Sequence, residues 1–159
     1  VCIMRHLKPH FKSRPGQYIT ADLESPLADL HFDVQQIPLG DNSVDVVLCN
    51  HILEHVADDR KALRELHRIL KPGGWGILLS PVDRDYEETF EDDSIVDPDE
   101  RTRIFGQYDH RRIYGQDYVD RLRGAGFEAA DIDYAASLPE EERRRYALPE
   151  DHIYVVYKH

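Results

Sequence analysis

Residues 41–56, Asp41-Asn-Ser-Val-Asp-Val-Val-Leu-Cys-Asn50-His-Ile-Leu-Glu-His-Val56, decide the fold. Gly40 to Ser43 reads as a turn. Val44 to Cys49 follows as an apolar run broken only by Asp45. The run is short and rich in β-branched residues, which predicts a strand buried on both faces. It stops at Asn50, where the spacing changes. Ile52, Leu53 and Val56 then recur at helical intervals, so a helix is expected directly after the strand. A buried strand that ends on a polar residue and hands over to a helix is the place where open α/β sheets hold ligands.

Outward from this stretch, helix and strand patterns alternate. Upstream, Ile3, Met4, Leu7 and Phe11 predict a helix over 2–12 that ends before Pro15-Gly16. Short strands are expected at 17–20 and 31–34, with Asp22 just past the first and Asp33 near the end of the second. Downstream, Asp58 and Asp59 open a helix whose apolar face is Ala62, Leu63, Leu66, Ile69 and Leu70. Lys71-Pro-Gly-Gly74 ends that helix, and Trp75 to Ser80 reads as a second buried strand. Further helices are expected from Pro98 to Phe105, Gln116 to Gly124 and Pro139 to Tyr146, with strands at 127–134 and 153–157. The alternation implies an α/β sandwich with helices on both faces of the sheet. Asp45 is expected to bond turn backbone at the start of its strand.

Composition narrows the function. The chain has 159 residues and a formal net charge of −11, which argues against nucleic acid or an anionic membrane as the main partner. No apolar run is long enough to span a membrane and no signal peptide is recognisable, so the expected location is the cytoplasm. Cys2 and Cys49 are too few for a disulfide framework or a cysteine metal site, and Cys49 reads as a small core residue. Length and the lack of repeats or linkers suggest one domain over 1–159. Residues 83–100 hold ten acidic side chains and one basic one, Arg84. That segment reads either as a solvated loop or as a lid over a site. Its charge hints at a cationic acceptor or partner.

Four patterns stand in order: Asp22 after a strand, Asp33 followed by Ile37-Pro38, Asp45 through Val56, and Leu70-Lys-Pro-Gly-Gly74 before a strand. In this order and spacing the chain resembles the class I S-adenosylmethionine-dependent methyltransferases of the methyltransferase-11 type. The resemblance runs from about Tyr18 to Leu79 and continues more weakly through Tyr114-Gly115 and Ala125-Gly126-Phe127. It implies a Rossmann-like, mostly parallel sheet in a three-layer sandwich, with an order similar to 3-2-1-4-5-7-6. The family's first strand and glycine-rich loop have no counterpart here, since no Gly-x-Gly occurs before Gly16. The domain is therefore expected to be N-terminally incomplete. The strands flanking the missing one would then pair directly, receive a strand from another chain, or leave a gap.

The resemblance also implies roles. Asp22 and Leu23 match the ribose-binding position, Asp33 and Val34 the adenine-binding position, and Asn50 and His51 the strand end beside the methyl group. His51, His110 and Tyr114 are candidates for positioning or deprotonating an acceptor. The cofactor implied is S-adenosylmethionine and the acceptor is expected to be a small molecule; no metal is expected. Oligomeric state is not readable. The competing reading for Asp22 and Asp33 is loop capping. Two other functions compete. One is a non-catalytic module that keeps the fold without the cofactor. The other is a zinc hydrolase, because His51-Ile-Leu-Glu54-His55 matches the H-x-x-E-H pattern on a helix. Apart from His51 and His110, the histidines show no ligand cluster in the sequence.

Overall fold

The computed structural model describes residues 18–147 and 152–159. The helix expected over 2–12 and the first residue of the strand expected at 17–20 lie outside them. The elements are β1 (Ala21–Asp22), β2 (Leu30–His31), β3 (Val44–Asn50), α1 (Asp59–Ile69), β4 (Leu70–Leu79), β5 (Phe90–Glu91), α2 (Pro98–Phe105), β6 (Arg112–Ile113), α3 (Tyr118–Gly124), β7 (Glu128–Asp133), α4 (Glu140–Arg145) and β8 (His152–Tyr157). A short 3₁₀ turn, Ala135–Ser137, follows β7. The fold is α/β, with a mixed main sheet.

The main sheet has the order β3-β4-β8-β7. β3 and β4 are parallel, while β8 runs antiparallel to both β4 and β7. A separate parallel pair, β1-β2, stands apart from it. In the numbering of the expected order these are its two flanks, 3-2 and 4-5-7-6. Direct closure of β1 onto β3 is not found among the described residues. The face of β3 carrying Val47 and Cys49 is buried, but Val46 on the other face is 39% exposed, as is its neighbour Trp75 at 40%. Burial of β3 on both faces is therefore corrected to burial on one.

The core is one cluster. Leu63, Leu66 and Ile69 of α1 pack with Val47, Cys49 and Leu78 of the sheet, and with Tyr114, Tyr118, Leu122, Tyr154 and Val156. α1 starts where Asp58 Oδ1 accepts from Lys61 N (2.8 Å), a side-chain cap on otherwise orphaned helix amides. It ends one residue before β4, so Leu70 belongs to the strand and not to the helix. Asp45 does not cap the turn; it is exposed and pairs with Lys71 Nζ at 2.7 Å.

The helix expected after Asn50 does not form. Residues 51–58 are bends and turns. The cause is long-range. The buried guanidinium of Arg112 donates to the carbonyls of Leu53 (2.7 Å), Val56 (2.7 Å) and Ala57 (3.1 Å). Arg111 N donates to Glu54 O at 2.9 Å. These donors replace the helical ladder, so a partly buried bend is satisfied without regular structure. Arg112 Nε also donates to Glu91 Oε2 (3.0 Å), its cross-strand partner. Arg121 joins the same group, donating to Asp59 Oδ2 (3.0 Å), Glu91 Oε1 (2.9 Å) and Asp117 Oδ2 (3.3 Å).

Through Glu91, residues 83–100 are fixed to the body. Thr89 N and Oγ1 donate to Asp117 Oδ1 at 2.7 and 2.6 Å, Ile95 is buried, and Asp97 caps α2. A Cβ on Gly115 would stand 2.7 Å from the Glu88 carbonyl carbon, so the close approach of this segment requires glycine there. The segment is an ordered excursion from the end of β4.

Two outcomes follow for stability. Arg112→Ala strips three carbonyls, one of them buried, of their donor and leaves Glu91 with one partner fewer; an equilibrium urea titration is expected to show a loss of about 3–5 kcal/mol. A loss under about 1 kcal/mol would mean that water replaces the guanidinium. Burial alone would raise the Glu91 carboxyl, but Arg121 and Arg112 outweigh it and hold the group below its ordinary range. A depressed folded value contributes stability above the unfolded value, about 4.3, and loses it as pH falls through the folded value. Glu91→Gln is therefore expected to flatten the acid side of the stability–pH curve below about pH 4.3.

Candidate functional site

The expected site residues sit where chain direction turns over. Asp22 ends β1, and its partner His31 ends β2 in parallel register. Asp33 lies two residues beyond. Gln35 then connects this edge to the main sheet: its amide donates to both Asp33 oxygens (3.1 and 3.0 Å), and its Oε1 accepts from Asp58 N (2.8 Å). Asp58 caps α1 just after the loop that leaves β3 at Asn50. From Gln35 the chain descends along α1. Ile37 N donates to Glu65 Oε2 (2.8 Å), and Arg68 donates to Ile37 O and Leu39 O (both 2.8 Å). It reaches the start of β3 where Ser43 N meets Ile69 O. Asp33 is thus tied through Gln35 to the start of α1, while Asp22 and Asn50 each end a strand of a parallel pair.

Both aspartates also cap their own loops. Asp22 Oδ1 accepts from Glu24 N (2.9 Å) and Ser25 N (2.8 Å), and these bonds hold its carboxyl below the usual range. Asp33 Oδ1 accepts from Gln35 N at 2.8 Å. Asp22 Oδ2 makes no hydrogen bond with a described residue. Leu23 is exposed beside it, whereas Val34 is buried in the core.

Asn50 is buried at the end of β3. His51 follows with φ of 55°, a left-handed conformation costly for a residue with a Cβ. Its amide donates to Leu79 O (2.8 Å), so the strand pairing continues one residue into the bend. Its ring is 63% exposed, with Nδ1 3.4 Å from Glu54 Oε1. Glu54 is buried, and Oε2 accepts from Ser80 Oγ at 3.0 Å. The Ser80–Glu54–His51 line reaches from the end of β4 to the surface.

Two expectations are corrected. Tyr114 does not face a pocket: it is fully buried, its hydroxyl donates to Asp59 Oδ2 (2.9 Å), and burial with the nearby Asp59 pushes its phenol well above the usual range. It is a core residue. The H-x-x-E-H reading also loses its basis, because 51–55 is not helical and His51 and His55 do not share a helix face.

His110 is half-buried. Its Nδ1 lies 3.2 Å from Phe105 O, and its ring meets His55 edge-on at 4.7 Å between centroids. The pairing of His55 with His110 was not readable in the sequence, since the two are 55 positions apart in the chain. The Arg112–Glu91–Arg121–Asp59 group was missed for the same reason. Its one local signal is a pair of arginines, Arg111 and Arg112, beside alternating Ile113 and Tyr114 in an acidic chain.

A model of the methyltransferase domain family matches residues 4–78. Over 64 residues the chain is 42% identical to a demethylmenaquinone methyltransferase of Staphylococcus epidermidis, covering 40% of this chain and 26% of that protein. The chain thus spans about a quarter of the length of that curated relative. Among solved structures, it is similar to the methyltransferase bound to the Haloferax volcanii Trm112 activator (TM-score 0.62, 18% identity, 98% of this chain, 78% of that one). It is also similar to an S-adenosylmethionine-dependent methyltransferase of Mesorhizobium loti (TM-score 0.56, 15% identity, 86% of this chain, 78% of that one).

The left-handed backbone at His51 yields a test. His51→Gly is expected to be at least as stable as the natural protein, and more stable than His51→Ala by about 1 kcal/mol in urea denaturation. A glycine variant less stable than the alanine one would mean that the backbone there carries no strain. The matched family model, the sheet order and the placement of the motifs together support a class I S-adenosylmethionine-dependent methyltransferase domain in this chain.

Proposed function

We propose that the protein transfers a methyl group from S-adenosylmethionine to a small-molecule acceptor. The observation that carries this reading is the link from Asp33 through Gln35 to the cap of α1, which ties the loop after the β1-β2 pair to the loop that follows Asn50. When bound, the cofactor supplies a methyl group on a sulfonium, already activated for displacement. The protein's tasks are then binding, alignment and the handling of one proton.

The donor set fits the nucleoside end of such a cofactor. Asp22, ionised and with Oδ2 turned away from its own loop bonds, accepts from ribose hydroxyls. Asp33 accepts from the exocyclic amine. Leu23, exposed beside Asp22, covers one side of the sugar and base, and Val34 backs the site from the core. Asn50 and His51 line the methyl end. His51, oriented by Glu54, takes the acceptor's proton where there is one, and His110 faces the acceptor from the far side of the same loop. The ordered segment 83–100 leaves β4 at this edge and forms the rim next to it. A small-molecule acceptor is supported by the likeness to the demethylmenaquinone methyltransferase. Among the described residues no helix is long and apolar enough to cross a membrane.

Titration calorimetry with S-adenosylhomocysteine tests the reading. The protein is expected to bind it, and Asp22→Ala to weaken binding by about 1–3 kcal/mol, the worth of charge-assisted hydrogen bonds. Absence of binding, or binding indifferent to both Asp22→Ala and Asp33→Ala, overturns it in favour of a module that keeps the fold without the cofactor.

A further inference from the structure

We propose that Glu54, His55 and His110 form a binding site for a divalent transition-metal ion. One ligand atom from each lies within 4.8 Å of the others. Bonds of about 2.0–2.2 Å to a common ion bring such atoms to roughly 3–3.5 Å, so modest side-chain movement closes the set. The three come from two segments, the bend after β3 and the loop after α2, and the rings of the two histidines are in contact.

Outer contacts are in place for each. Glu54 Oε2 is taken by Ser80 Oγ, which leaves Oε1 facing inward. His110 Nδ1 stands 3.2 Å from Phe105 O; as the protonated nitrogen it would leave Nε2 as a bare donor. His55 Nδ1 is enclosed and lies 3.2 Å from Asp109 Oδ2, off the axis of a hydrogen bond. Its Nε2 is 3.9 Å from Glu54 Oε1. Ligating histidines commonly present their second nitrogen to a carboxylate or a backbone carbonyl, and both arrangements occur here.

Charge gives an independent reason. The Glu54 side chain is 2% exposed, and among the described residues its ion-pair contacts are only the rings of His51 and His55. A carboxylate this enclosed without a fixed cation is costly, and a divalent ion removes that cost. Neither ring nitrogen of His55 makes an aligned hydrogen bond with a described residue, and an ion beside Nε2 supplies its missing partner.

Two imidazoles and one carboxylate favour zinc, iron, cobalt or manganese over calcium or magnesium. Three protein ligands also leave coordination positions open to solvent. If the methyltransferase reading holds, on which this step alone rests, a hydroxyl or enol oxygen of the acceptor occupies one of them. The ion then lowers that oxygen's pKa and its proton passes to solvent. His110 serves in that case as a ligand and not as a base.

Cobalt(II) is the probe. Dialysis of the metal-free protein against cobalt(II) is expected to leave one tightly held ion with visible absorption bands of a four- or five-coordinate site. His55→Asn and His110→Asn should each weaken cobalt binding at least about tenfold, and Asp109→Asn about 10- to 100-fold. Should His55→Asn fail to fold, His110→Asn carries the test, since its ring is half-exposed. Absence of bound cobalt, or binding unchanged in His110→Asn, overturns the proposal. Binding of S-adenosylhomocysteine is read separately, so either idea can fail without the other.

Discussion

A single side chain, Arg112, decides whether this fold has a usable strand end. The bend after β3 turns the carbonyls of Leu53, Val56 and Ala57 toward one side chain, and only Leu53 among these residues is buried. The guanidinium brings a rigid fork of N–H groups that meets all three and still reaches Glu91. A lysine would offer a compact charge without that fork. The bend can therefore stay irregular, with Asn50 and Glu54 buried and the His51 ring exposed. A helix begun at Asn50 would have fixed their side chains on a repeating face instead.

Glu91 gives the group its second function. It is shared by Arg112 and Arg121, and it arrives from the most acidic part of the chain. Acidic residues that read as a repelling, solvated run contain one member that is an essential partner. The rest of the run stays outside, where its charge is cheap. Asp59 behaves in the same way. It sits in the first turn of α1, where a carboxylate suits the helix dipole, yet its main partners are Arg121 and the Tyr114 hydroxyl from two later elements.

Local signals were enough for most of the scaffold. Val44–Asn50, the helix from Asp59, the helix from Pro98 and the strand at β8 follow from periodicity, caps and β-branched runs, and their order brought Asp22 and Asp33 into view together. The errors share one cause. Ile52, Leu53 and Val56 have helical spacing, but backbone donors supplied from residues 111 and 112 override it. Tyr114 was a candidate only through the resemblance, while its own ring packs on Tyr118 at 4.6 Å between centroids. The contact between His55 and His110 likewise depends on the path of the intervening chain. Side chains that work across 50 or more positions leave no periodic trace in a single sequence.

The origin of those donors also sets an order of events in folding. β3, α1 and β4 are consecutive and can pair early, since their contacts close short loops. The bend at 51–57 cannot settle until residue 112 has been brought back over the intervening segment. A chain still emerging from synthesis can thus hold its central parallel pair while the strand end remains hydrated. The last part of this domain to acquire its shape is then the bend that carries the proposed site, and closure of the excursion, rather than assembly of the core, would complete it.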